Sequence, residues 1–229
     1  SLAAGIAHEI NNPVAIMVEE AGWIKDLLEE EEFSESENLK EFERALKQIK
    51  NQGQRCKEIT HKLLSFARKT DSRVQETHIN ELLSELIALS EQRAKYAKIS
   101  IHTDFQNDLP VTYLAQSEVQ QVLLNLINNA IDAMESRGGE LTISTHFEFE
   151  KGAIVIEVSD NGPGIPEANL SRIFEPFFTT KPVGKGTGLG LSICYGIIQK
   201  MGGQINVESI IDSGTTFSIR LPVKGAYEG

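Results

Sequence analysis

Residues 140–164 read ELTISTHFEFEKGAIVIEVSDNGPG. Two strand-like runs, 140–150 and 153–160, follow one another with too little chain between them for a helix. Consecutive strands of this kind pair as a hairpin, whereas a doubly wound parallel sheet needs a helical crossover between them. This stretch therefore predicts an α+β layered sandwich. Outward from it, KISIHTDF at 98–105, QINVES at 204–209 and TTFSIRLPV at 215–223 supply further strands. Helical patterns at 80–96, 117–136 and 189–201 are interleaved with them. Upstream, ARKTDSRVQET at 67–77 is polar and aperiodic, which predicts a boundary between residues 1–70 and residues 71–229.

Residues 2–28 place Ala3, Ile6, Ile10, Met17, Ala21, Ile24 and Leu28 mostly three or four apart, the spacing of a helix that buries one face. The acidic run at 29–37 interrupts the pattern as a solvated turn, with a charged binding arm as the alternative. A second helix follows, with Phe42, Ile49, Cys56 and Leu63 at heptad spacing and Ala45, Ile59 and Phe66 in companion positions. Such an antiparallel hairpin leaves apolar surface unless another pair covers it, so a homodimeric four-helix bundle is expected.

The chain has 229 residues and a formal net charge of −11 from 33 acidic and 22 basic residues. That balance excludes a broad electrostatic footprint for nucleic acid or an anionic membrane, and any polyanion must be held locally. Cys56 and Cys194 lack metal-ligand spacing, and a reducing compartment is the default. Cys56 falls on the apolar seam and reads as a packed thiol. No run is long and apolar enough for a membrane span, and the start has no signal-peptide pattern. A cytoplasmic location is expected.

Four polar or glycine-rich islands interrupt the second half. In NLINNAIDAM at 125–134, Asn125 and Asn129 share a helical face, where a stack of amides suits a divalent cation or phosphate oxygens; a plain polar stripe is the alternative. In DNGPGIP at 160–166, Gly162 and Gly164 permit close approach to a flat ligand, and Asp160 offers a carboxylate to an exocyclic amine; the alternative is a tight loop. FEPFFTTK at 174–181 ends in Lys181, a point charge suited to phosphate. GKGTGLGLSI at 184–193 leads glycine amides into a helix N-terminus, an anion cradle if not a flexible linker, and matches neither a Walker A nor a dinucleotide fingerprint.

In this order, the islands resemble the N, G1, F and G2 boxes of the histidine-kinase ATP-binding domain, related in fold to gyrase, mismatch-repair and heat-shock chaperone ATPases. The resemblance covers residues 75–223 or so, and SGTTF at 213–217 is similar to the family's final box. It implies that ATP binds with Asn129 as ligand to Mg²⁺, Asn125 on the phosphate side and Asp160 on the adenine amine. Gly162, Gly164, Gly186, Thr187, Gly188, Leu189 and Gly190 then shape the pocket, Lys181 matches a lid residue, and Thr215 or Thr216 contacts the adenine region through water. Family members often carry a basic or tyrosine phosphate contact three residues after the metal asparagine, and this chain has Asp132 there.

GIAHEINNPVAI at 5–16 is the other concentration of chemistry. With Ile10 on the partner-facing seam, His8 lies on the outward face of the first helix. HEINNP resembles the H box of the dimerisation and phosphotransfer domain, over residues 1–70 or so, which makes His8 the phosphate acceptor. Neutral imidazole is nucleophilic near neutral pH, and its attack on phosphorus needs the proton on the other ring nitrogen stabilised. Glu9 is the obvious acceptor, and Asn12, one helical turn from His8, is placed to orient water against phosphohistidine. Pro13 removes a backbone hydrogen bond and is expected to bend the helix. His61, His78, His102 and His146 lack such company and read as structural or surface residues.

The resemblance thus implies ATP-dependent autophosphorylation of His8 and transfer to a response regulator aspartate, with phosphatase activity toward that regulator. The partners are a second copy of the chain and the regulator, with no nucleic acid. A membrane enters only through upstream sensor or anchoring segments, which the position of His8 so near the start leads one to expect. The rival readings are a clamp-closing ATPase of the same fold, whose hydrolysis survives loss of His8, and a nucleotide-sensing scaffold without phosphorylation.

Overall fold

The computed structural model describes residues 2–29, 40–53, 56, 73–181 and 186–223; within the first helix it leaves out the side chains of residues 2–9, 11, 25 and 27–29. The chain divides into two compact units, Ser1–Arg68 with Thr179–Thr187, and Lys69–Phe178 with Gly188–Gly229.

In the first unit, α1 spans Leu2–Glu29 and runs unbroken through Pro13, so the missing amide donor does not end the helix. Residues 40–53 form α2. The two helices are antiparallel neighbours. Met17 Sδ lies 3.7 Å from where a Cβ on Gly53 would stand, Arg44 reaches Glu20 at 3.5 Å, and its guanidinium sits 4.9 Å over the Trp23 ring. Pro13 and Ala45 are buried, while Ile10, Met17, Ile24, Phe42, Ile49 and Cys56 are half-buried. Ala21, expected on the seam, is exposed. Ile59, Leu63, Phe66, His61 and most of the acidic run lie outside the described residues, as do Gly184 and Lys185.

The second unit is a mixed sheet backed by helices on one face. Its elements are β1 (Gln75–Thr77), α3 (Ile79–Tyr96), β2 (Ile99–Phe105), β3 (Thr112–Leu114), α4 (Gln116–Met134), β4 (Gly139–Glu148), β5 (Ala153–Asp160), the short α5 (Glu167–Leu170), α6 (Gly190–Lys200), β6 (Gln204–Ile210) and β7 (Gly214–Pro222). β4 and β5 pair antiparallel from Leu141↔Asp160 to Glu148↔Ala153, the hairpin the sequence predicts. Five strands run in the order β2-β4-β5-β7-β6, with β2 and β4 parallel and the other pairs antiparallel. β1 and β3 form a separate two-stranded ladder that the sequence reading missed, because three residues are too few to establish a period.

Strand alternation sends Leu141 and Ile143 of β4, Ile154, Ile156 and Val158 of β5, and Phe217, Ile219 and Leu221 of β7 into one core, where they meet Leu83 and Leu86 of α3 and Leu123, Leu126 and Ile127 of α4. Each such side chain contributes about 1.5–3 kcal/mol on burial, so this layer holds α4 firmly against the sheet.

Candidate functional site

The polar face of α4 organises the site. Val122, Leu123, Leu126, Ile127, Ala130 and Ile131 are buried, which leaves Asn125, Asn128, Asn129 and Asp132 half-buried along the opposite stripe. Three segments come to this helix. Gly190, at the start of α6, has its Cβ position 4.0 Å from the Asn125 side chain. Gly162, just past β5, has its Cβ position 3.5 Å from Cβ of Ala133, one turn beyond Asn129. Arg93 of α3 donates from Nη1 to Oδ1 of Asn128 at 2.5 Å and pairs through Nη2 with Asp132. The departure at Asp132 noted in the sequence thus meets a cation from another helix.

Asp160 owes its burial to strand parity. It continues the inward series Ile154, Ile156, Val158, so the alternation that builds the core carries a carboxylate to the helix side of the sheet end, where it is 8% exposed. Burial raises its pKa above the ordinary aspartate range, and backbone N–H donors of Gly162 and Thr215 and the Arg137 charge counteract this. The Gly162 amide donates to Oδ1 at 2.8 Å, and a Cβ there would stand 2.4 Å from that oxygen. Thr215 pairs with Asp160 across the strands and is also buried, so SGTTF is brought to the carboxylate by register.

The loop after Asp160 is tied down on both sides. Gly164 has φ +72°, and a side chain there would stand 2.2 Å from the Ile210 carbonyl oxygen, so glycine is required twice over. Ser209 Oγ accepts from the Ile165 amide at 2.8 Å and meets Thr215 Oγ1 at 2.9 Å. Asn161 Oδ1 accepts from the Glu140 amide at 2.8 Å, and Arg137 Nη2 donates to the Asn161 carbonyl at 2.5 Å. Sequence reasoning singled out none of Arg93, Arg137 or Ser209. Asn161 had a signal, as the residue after Asp in a turn where Asn commonly bonds nearby backbone.

Phe174 and Phe178 pack on the core, as phenylalanines in a loop should. Phe177 adopts φ +69°, and its amide donates to the Gly188 carbonyl at 2.9 Å. Gly188, at φ +65°, would put a Cβ 2.2 Å from the Phe177 carbonyl carbon. This backbone contact joins the two ends of the 178–187 segment. Leu189 is buried and its carbonyl accepts from Ser192 Oγ and the Ile193 amide, opening α6. Lys181, Gly186 and Thr187 fall in the Thr179–Thr187 segment. There the Lys181 amide donates to Thr179 Oγ1 at 3.2 Å, and a Cβ on Gly186 would meet that oxygen at 2.3 Å.

Elsewhere, Asn12 is exposed on α1, while His8 and Glu9 lie in the same helix with side chains outside the described set. His78, His102 and His146 are exposed. Cys194 is fully buried against the Val122 carbonyl, and burial pushes its thiol up to about 12, which makes it inert.

Comparison with known proteins bears on this geometry directly. Residues 115–225 match the family model of the histidine kinase-, DNA gyrase B- and HSP90-like ATPases, and residues 1–72 match the His Kinase A phospho-acceptor domain. The catalytic domain of histidine kinase ThkA superposes with a TM-score of 0.58 at 34% identity, over 66% of this chain and 95% of that one. This chain belongs to the histidine kinase family. Its fold is the expected one, a helical region followed by the mixed-sheet ATPase domain. ThkA in complex with the response regulator protein TrrA aligns over 97% of this chain and 61% of its own, with a TM-score of 0.70 and 29% identity. The sensor kinase CckA of Brucella abortus is 36% identical over 96% of the chain, and sporulation kinase E of Bacillus subtilis 33% over 97%. The chain spans 24% and 28% of the lengths of these two relatives. Among the described residues, no helix is long and apolar enough to cross a membrane.

Proposed function

We propose that this chain is the catalytic core of a sensor histidine kinase, in which ATP bound along α4 phosphorylates His8 and the phosphoryl group passes to an aspartate of a response regulator. The observation that carries this reading is that the turn joining Asp160 to Gly162 and the start of α6 both come to α4, at Ala133 and Asn125, in a chain that also holds the HEINN run on a helix. The resemblance to a kinase solved with a response regulator supports the choice of partner.

In the first step a lone pair of the His8 imidazole attacks the γ-phosphorus. The N–P bond forms as the bond to the β–γ bridging oxygen breaks, ADP leaves, and the proton on the other ring nitrogen passes toward Glu9. Positioning and charge neutralisation supply most of the acceleration in such transfers. Asp160 accepts from the adenine amine, Gly162 and Gly164 leave room for the ring, and the backbone of Gly188–Gly190 meets the phosphates. Asn125 backs the phosphate side. The half-buried amide of Asn129 fits Mg²⁺, which keeps most of its waters and takes few protein oxygens beside those of a phosphate. Bound there, the ion would offset charge on the phosphates.

Residues 1–70 serve as the dimerisation and phosphotransfer domain and residues 71–229 as the ATP-binding domain. Val14 and Val18, one turn apart on α1, and Leu46 on α2 are exposed, which supports a second copy of the chain as their cover. Asn12, exposed one turn from His8, suits a water-orienting role in regulator dephosphorylation. A cytoplasmic site of action follows from a regulator partner.

Incubation with γ-labelled ATP tests the reading. Acid-labile, base-stable label is expected on the chain, lost in His8→Gln with ATP affinity unchanged. Label retained in that variant rejects His8 as acceptor. ATP hydrolysis that survives with no labelled protein would favour the clamp ATPase instead.

A further inference from the structure

Asp132 stands three residues from Asn129 and four from Asn128 on the half-buried stripe of α4. A carboxylate in that stripe opposes a polyphosphate, and the chain as a whole carries −11. Any phosphate chain laid along α4 therefore needs a cation fixed close to Asp132. Arg93, in the last turn of α3, supplies it. Its Nη1 reaches Asn128 and its Nη2 reaches Asp132, so the guanidinium plane is held at two points by side chains one helical turn apart.

Fork geometry of this kind fixes orientation as well as charge, and the guanidinium keeps N–H donors beyond the two so engaged. The arrangement is not needed to pack the helices. Buried apolar residues join α3 to α4, and an ion pair whose side chains are 46% and 29% exposed adds little to stability. What the pair does is hold a planar cation at the edge of the stripe that carries Asn125 and Asn129.

We propose that Arg93 is a nucleotide-phosphate-binding residue, oriented by Asn128 and Asp132 so that its remaining N–H donors engage the phosphate chain of ATP. Asp132 is then a positioning residue, and its own charge is neutralised by the group it positions. The proposal rests on the nucleotide reading above, and adenosine separates the two.

Calorimetric titration of the full chain with ATP, ADP, AMP and adenosine, in the presence of Mg²⁺, tests it. Arg93→Ala should weaken ATP about 10- to 100-fold, the worth of one charge-assisted hydrogen bond, and leave adenosine unchanged, with the loss growing along the series from AMP to ATP. Arg93→Met, which keeps the apolar stem on α3 and removes only the charge, should reproduce this if the alanine variant folds poorly. Equal losses for ATP and adenosine, or no loss for ATP in either variant, overturns the proposal. Wild-type chain that binds neither ATP nor adenosine overturns the nucleotide reading itself.

Discussion

The helical unit and the nucleotide unit hold their proposed site residues in opposite ways. His8, Glu9 and Asn12 lie within little more than one turn of α1, so secondary structure alone sets their spacing. The groups along α4 come from α3, the end of β5, the start of α6 and the β6–β7 hairpin, from Arg93 to Thr215. A site written on one helix can lose a side chain without the fold noticing. A site gathered from many segments is held by the same bonds that hold the fold, so its residues carry stability and chemistry together.

Four substitutions put that contrast to the test. The largest effect is expected for Asn12→Ala, which should lower regulator dephosphorylation on the order of 100-fold, the scale of a positioned proton-transfer or water-orienting group, with His8 labelling and melting temperature unchanged. A drop in melting temperature would show that Asn12 supports the fold as well as the chemistry. Asn129→Ala comes next, with about 10- to 100-fold slower labelling and a matching rise in the Mg²⁺ concentration needed. Labelling at the wild-type rate and Mg²⁺ requirement would remove Asn129 from the metal.

Gly188→Ala should destabilise the nucleotide unit by roughly 1–3 kcal/mol, because its Cβ meets Phe177 backbone at 2.2 Å. Thermal melts read the stability, and ATP affinity measured on the same variant should fall with it. Weakened binding with intact stability would separate what the contrast joins.

The subtlest shift concerns Asp160. Its folded pKa is raised above the unfolded value, so its contribution to stability is fully present below the ordinary aspartate pKa and is lost as pH rises through the folded value. Asp160→Asn keeps the Gly162 bond, and its advantage over wild type should widen across that window in denaturant titrations at stepped pH. ATP affinity should move the other way in wild type, weakening as pH falls through the raised pKa, and this dependence should vanish in the asparagine variant. Parallel stability curves for the two proteins would contradict the burial of the carboxylate.

Legibility followed the same division. The β4–β5 hairpin, the long helices α3, α4 and α6 and the amide face of α4 were readable, because period and turn chemistry are local properties. HEINN was readable as a cluster for the same reason. β1 and β3 were not, being too short to show a period. Arg93 was invisible because nothing near residue 93 in the chain marks it, and its partners lie 35 and 39 residues away. Ser209 carried no signal either, since a serine in a strand is ordinary until the loop it ties is in place.

By itself, then, the order of residues decided which segments become helix or strand and which short runs carry amides, carboxylates and glycines, since those follow from backbone preference and side-chain period. Tertiary structure alone decided that Thr215 lies beside the Asp160 carboxylate, that Phe177 and Gly188 join backbone to backbone, and that Arg93 faces Asp132. These depend on distances between parts of the chain remote in sequence, which packing against a shared core sets and local preference does not.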